Sequence, residues 1–309
     1  MVTASSAQTN SPERIFSPED LKHLNQRSNW KGAVQTLGHL AILAVSGGLW
    51  ATQRQLWWVA IPALVVYGFS LATAFAPVHE GVHRSVFTNK RLNDALAWGA
   101  GLLSFYNSTF FRRYHKWHHR YTQVEGKDPE LEDATPSNLG EYLWHVSAIP
   151  WWIGKLRGHV KVTTGRIEDI PYIPAEARGE VIRSTRLQLL VYAAAIALSI
   201  GLGQPWFLLY WLLPLALGQP LLRLILLAEH THCTPKDDPL TNTRTTHTLW
   251  PIRFLMWNMP FHAEHHLYPS IPFHALPAAH SILAPHLSHV ARGYSRVNRD
   301  IIAALGSTP

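Results

Sequence analysis

Residues 56–83 read LWWVAIPALVVYGFSLATAFAPVHEGVH, an uncharged stretch that runs without a break into a pair of histidines four residues apart. From Leu56 to Val78 it is long and apolar enough to cross a bilayer as a helix, which takes about 17–25 residues. Three further stretches qualify: Ala33 to Thr52, Leu187 to Gly203 and Trp206 to Ala228. Only Gln53, Arg54 and Gln55 separate the first two spans, and only Gln204 and Pro205 separate the last two. Connections this short make antiparallel hairpins. The reading is an all-α integral membrane protein whose four transmembrane helices form two hairpins with a long insert between them. Trp57, Trp58, Trp206 and Trp211 fall toward span ends, where amphipathic rings favour the interface.

Composition agrees. Charged residues make up 15% of the 309, against about 25% in a soluble domain. With 47% hydrophobic residues the chain has ample surface to bury and is not disordered. Cys233 is the only cysteine, which excludes a disulfide scaffold. Met1 to Asn10 lack the basic-then-apolar order of a secretory signal. Ser17 followed by Pro18, Glu19 and Asp20 reads as the capped start of a short helix. Residues 1–32 are therefore a tail and short helix, and 33–309 one membrane domain.

Of 27 Lys and Arg, the tight turns hold only Arg54; Arg223 lies inside the fourth span and the rest fall on the other side. The positive-inside rule then places both termini and a cap of residues 79–186 and 229–309 in the cytoplasm, as expected for a bacterial inner-membrane protein. The net charge of +7 needs no nucleic-acid partner; a basic face beside a bilayer meets anionic head groups or an acidic protein. Leu92 to Phe111 is apolar but broken by Gly99, Gly101, Ser104, Asn107 and Ser108. A single crossing there would put the histidines before and after it on opposite faces, so it is read as interfacial or re-entrant. Trp144 to Leu156 and Leu249 to Met259 read as further interfacial helices.

The 19 histidines are not evenly spread. His79 and His83 stand four apart; His115, His118 and His119 form one H-x2-HH; His262, His265 and His266 form a second. On a helix, positions i, i+3 and i+4 share a face, so the imidazoles of each cluster converge. Neutral imidazole is the ligand of Zn, Fe, Cu and Ni. Eight exceed what one four-coordinate ion takes, so the clusters imply two metals.

The three clusters on a four-span stem resemble the membrane fatty acid desaturase superfamily, from about Ala33 to His280. The likeness is closest in His115 to Glu130, HKWHHRYTQVEGKDPE, and in His262 to Pro277, HAEHHLYPSIPFHALP. The resemblance implies a non-haem di-iron centre with a ninth histidine near the end of the fourth span. His230 is chosen for it, with His232 in reserve. It further implies O2 as co-substrate and desaturation of a fatty acyl chain or similar apolar substrate. Electrons would come from a separate ferredoxin-like donor, since no cytochrome b5-like or Cys-rich module is evident. Hydroxylation of a lipid, carotenoid or small molecule is the alternative within the superfamily.

Metal-bound histidines donate their second N–H outward, and Glu80, Asp128, Glu229 and Glu264 are the nearby carboxylates expected to receive it. Arg244 is expected in a structural salt bridge, with Asp128 or a substrate carboxylate as alternatives. The remaining histidines, His39, His159 and His280 among them, are assigned to surface or interfacial positions. Arg223 is expected to snorkel to the interface. Three other classes fit less well. A zinc hydrolase would leave most of the histidines idle, a transporter would hold its site at the bilayer midplane, and within the spans only His39 could serve as an axial haem ligand.

Overall fold

A computed structural model describes residues 15–131, 135–235 and 238–306. Met1 to Asn10, read above as a polar tail, lie outside the described residues. The short helix α1 (Pro18–Leu24) starts as expected: Ser17 and Asp20 exchange side-chain and backbone hydrogen bonds in a capping box.

The first hairpin is α2 (Asn29–Thr52) followed by α3 (Trp57–Thr73) and α4 (Phe75–His83). α3 and α4 form one apolar run of 27 residues. The direction changes at Ala74 because Pro77 has no N–H to give the carbonyl of Thr73. The second hairpin is formed later in the chain. Between them lie α5 (Lys90–Ser104), α6 (Ser108–Tyr121), α7 (Leu139–Val146) and α8 (Ile149–Thr163). α9 (Ala175–Gly201) then leads through a π-helical turn at Leu208–Leu212 into α10 (Leu213–His230). Four helices are thus long and apolar enough to cross a membrane. α3 packs against both α2 and α10. Val34, Leu37, Val45, Val65, Leu190 and Ile200 are exposed on the outside of the stem, where lipid tails replace water.

α3 and α10 touch backbone to backbone. A Cβ on Gly218 would stand 1.9 Å from the Gly68 carbonyl oxygen, and one on Gly68 2.3 Å from that of Pro214. Only glycine permits this approach, which sets the two spans side by side at the level from which both run on to the histidines.

The fifth apolar stretch is divided between two helices, α5 and α6. Phe105 takes a left-handed conformation (φ 63°) and ends α5, and Asn107 caps α6 through Phe110 N–H. Carbonyls freed at this break would be costly away from water. Side chains of the second hairpin satisfy them. Tyr192 donates to Leu102, Trp211 to Leu102 and Leu103, and Gln188 to Gly101 and Tyr106.

The rest of the cap is α11 (Trp250–Leu255), α12 (His262–Leu267), α13 (Leu276–Leu283) and α14 (Tyr294–Ala304). Among the described residues the only strands are the short β1 (Thr245–His247) and β2 (Val290–Arg292), paired in parallel.

Candidate metal centre

Nine histidines meet where α4, α6, α10 and α12 converge. α4 brings His79 and His83, α6 brings His115, His118 and His119, α10 ends on His230, and α12 carries His262, His265 and His266. α12 is a six-residue helix, yet its i, i+3, i+4 spacing still turns all three rings inward.

The rings sort into two groups. His79, His83, His115, His119 and His265 each place one ring nitrogen within 4.8 Å of all the others, and so do His118, His230 and His266. His262 joins the second group, its Nε2 lying 3.2 Å from that of His230 and 3.1 Å from that of His266. The groups adjoin through His119 and His266, ring centres 4.3 Å apart. His232, the reserve choice, is exposed.

The outward nitrogens show which way the lone pairs point. His118 Nδ1 lies 2.8 Å from Asp128 Oδ1, and His230 Nδ1 lies 3.1 Å from the Asn242 carbonyl oxygen. Neither oxygen can donate, so each Nδ1 carries a proton and each Nε2 is turned toward the other rings. His266 Nδ1 meets Thr122 Oγ1 at 3.2 Å, and His79 Nδ1 meets Glu80 Oε1 at 3.3 Å. Facing inward, Nε2 atoms stand 3.0–3.2 Å apart in the pairs His115–His119, His119–His265, His230–His262 and His262–His266. The Nε2 atoms of His79 and His83 are buried with no partner. Burial, reinforced by the neighbouring imidazoles, keeps His115, His119, His262, His265 and His266 below the ordinary range, hence neutral. His118 differs: burial opposes its protonation, but Glu130 and Asp128 raise it above the ordinary value. A buried set of mutually facing lone pairs is unsatisfied by its own members, and a cation is what such a donor set fits.

The four expected carboxylates are all near, but they do different things. Asp128 holds His118, Glu80 lies beside His79, and Glu229 Oε2 stands 3.4 Å from His262 Nε2. Glu264 does not reach a clustered histidine. It binds Thr245 Oγ1 and His280 Nδ1, which fixes the α12 backbone from behind. Among the described residues Arg244 forms no salt bridge; its side chain donates to the Ala228 carbonyl at the end of α10, where helical carbonyls lack partners. Three histidines assigned to the surface are not there. His39 and His159 are buried, and His280 is the partner of Glu264. Glu130, Thr122, Asn242 and Thr245 were not singled out from the sequence; Glu130 Oε2 lies 3.6 Å from His118 Nε2.

A cavity of about 390 Å³ opens beside the second group and reaches His230, Glu130, Phe75 and Phe111. Phe111 stacks on His115 with ring centres 4.9 Å apart. Arg223 lines this cavity as well.

Four membrane-length helices, a histidine cluster able to hold metal and a cavity at its side are the features of a multi-pass membrane protein with a candidate metal site. The sequence profile described as fatty acid desaturase matches residues 55–297, and the chain belongs to that family. It is 22% identical to an sn-1 oleoyl-lipid 12-desaturase of Picosynechococcus sp., over 85% of this chain and 79% of the relative. It is 24% identical to a delta(5) fatty acid desaturase of Caenorhabditis elegans over 70% of this chain. A sphingolipid delta(4)-desaturase/C4-monooxygenase of Mus musculus is also 24% identical, over 62% of this chain. The aligned part spans little more than half of the nematode and mouse relatives, 55% and 54%.

Proposed function

We propose that the protein is an O2-dependent desaturase with two irons, which introduces a double bond into a fatty acyl chain or similar apolar substrate. The division of nine clustered imidazoles into a group of five and a group of four carries this reading. His79, His83, His115, His119 and His265 would hold one iron; His118, His230, His262 and His266 the other. An unactivated C–H bond offers no acidic proton, so side chains alone cannot open it. The bound pair of irons would supply the oxidant: one O2, two electrons and two protons remove two hydrogens from adjacent carbons and leave two waters.

What the chain contributes is placement. Asp128, Asn242 and Thr122 fix the tautomers and ring planes of His118, His230 and His266. Burial keeps His115, His119, His262, His265 and His266 neutral and water out. Phe75, Phe111 and the rest of the cavity wall would lay the substrate against the second group. The electrons are assigned to a separate ferredoxin-like donor meeting the basic cap. Hydroxylation is the second reading, supported by the mouse relative, whose name carries both activities. It shares the first hydrogen abstraction and differs in where the carbon radical is held.

Purified protein is expected to contain close to two irons per chain. His118→Ala and His265→Ala, one from each group, are expected to lose bound iron and turnover together. Full activity in either variant, or about one zinc and no iron from iron-replete cells, would overturn the proposal.

A further inference from the structure

The cavity holds two cationic side chains, Lys155 and Arg223, that no carboxylate of the described structure pairs with directly; Glu130 acts on both from a distance, and burial together with Arg223 lowers Lys155 to about 7. Lys155, on α8, lays its ammonium 3.5 Å from the centre of the Tyr106 ring, and among the described residues that ammonium makes no hydrogen bond. Arg223, inside the fourth span, places Nη2 3.3 Å from the hydroxyl of the same Tyr106 and 3.5 Å from Gln219 Oε1. Its Nε is buried without a partner. One tyrosine is therefore the platform for both cations, and Trp151, which donates to its hydroxyl, closes the far side. Among the described residues no carboxylate lies within ion-pair distance of either cation. Glu130, the acid that lines the same cavity, is turned to His118.

Enclosed charges are retained only when paired, because removing an ion from water costs several kcal/mol. Ionisable side chains within a membrane span accordingly mark a site. Two cations held together on one ring repel each other, which favours loss of the Lys155 proton, and an anion bound between them would restore both charges. We propose that Lys155 and Arg223 form an anion-binding subsite that takes the carboxylate of the substrate, and that this substrate is a short-reach carboxylic acid. The inference rests on the reading of this cavity as the substrate site of the metal centre.

The reach follows from α10. Arg223 and His230 are seven residues apart, which returns to the same face two turns on, about 10 Å along the helix. An extended chain covers that distance in about nine bonds. The carbons presented to the second histidine group therefore lie within about ten bonds of the acid, and an ester-linked lipid has no carboxylate to offer at this point. The aromatic wall of Phe75, Phe110, Phe111 and Tyr114 would receive the apolar part.

The test is calorimetric binding to the full-length protein in lipid nanodiscs, without reductant, using octanoate, octanol and octyl phosphate. Octanoate is expected to bind at least about tenfold tighter than octanol, as charge-assisted hydrogen bonds require. Lys155→Met and Arg223→Gln should each remove most of that preference while leaving octanol binding unchanged; Arg223→Lys should retain it. Equal binding of octanoate and octanol would overturn the subsite, as would octanoate binding indifferent to both substitutions in variants that keep wild-type iron content. Tighter binding of octyl phosphate than octanoate would overturn the carboxylate and assign the pair to a lipid head group. Iron content, measured on the same samples, separates the two proposals. Two irons with no carboxylate preference would defeat this inference alone; carboxylate preference without iron would defeat the di-iron reading instead.

Discussion

Asp128 is buried and fully engaged: one oxygen faces His118 Nδ1 and the Glu130 N–H, the other accepts from the Gln123 N–H. It holds a ring through which the second group of histidines is completed. Replacing it by Ala leaves His118 free to rotate, and loss of such a partner typically costs 10–100-fold in metal affinity or activity. Asp128→Ala is therefore expected to release iron to a competing chelator at about 10–100-fold lower chelator activity than wild type. Unchanged retention would mean that the ring is held by packing alone. At this scale the clustered histidines were legible because i, i+3, i+4 spacing is local chemistry. Asp128 was legible because it lies ten residues from His118. Thr122 with His266 and Thr245 with Glu264 were not, since these pairs form only when distant segments are brought together. His280 was hidden for the same reason: nothing near it in sequence shows that Glu264 will reach it.

Helix positions were readable where apolar content alone decides them. The expected stretches Ala33–Thr52, Leu56–Val78 and Trp206–Ala228 fall largely on the apolar helices Asn29–Thr52, Trp57–His83 and Leu208–His230. α9 starts at Ala175, twelve residues before the apolar stretch, because Arg178, Glu180, Arg183 and Arg186 continue the helix beyond the hydrocarbon layer into the cap. Apolar content also could not show that α3 and α10 meet at glycine on both sides. Gly218→Ala directs a Cβ into the Gly68 carbonyl, an atom that can yield only if the spans separate. Overpacking costs about 1–3 kcal/mol and occasionally more. Contact with backbone on both helices places this case at the upper end. The variant is expected to melt clearly below wild type and to bind less iron, because α4 and the end of α10 are displaced from each other. Gly48→Ala, with nothing within 4 Å, is the matched control and should melt like wild type. Equal melting of both variants would show that the crossing is looser than drawn.

The molecule as a whole joins one stem to one cap through the histidines. His79, His83 and His230 belong to the ends of membrane helices, while the other six belong to cap helices. That arrangement puts all three clusters at one end of the stem, hence on one side of any bilayer its four long helices span, and the break at Phe105 turns α6 back toward α4. The side itself follows from charge. The two short turns of the stem carry a single basic residue, Arg54, whereas the cap carries nearly all the others. The positive-inside rule then predicts a cytoplasmic cap, where a reduced electron donor is available. Exposed Gln204 in the second stem turn and exposed Lys116 on α6 report opposite sides. With the lone Cys233 changed to Ser, Gln204→Cys should react with a membrane-impermeant maleimide in intact cells. Lys116→Cys should react only after permeabilisation. Labelling of Lys116→Cys in intact cells, with Gln204→Cys protected, would invert the protein in the membrane and would require its electrons to arrive from the outer side.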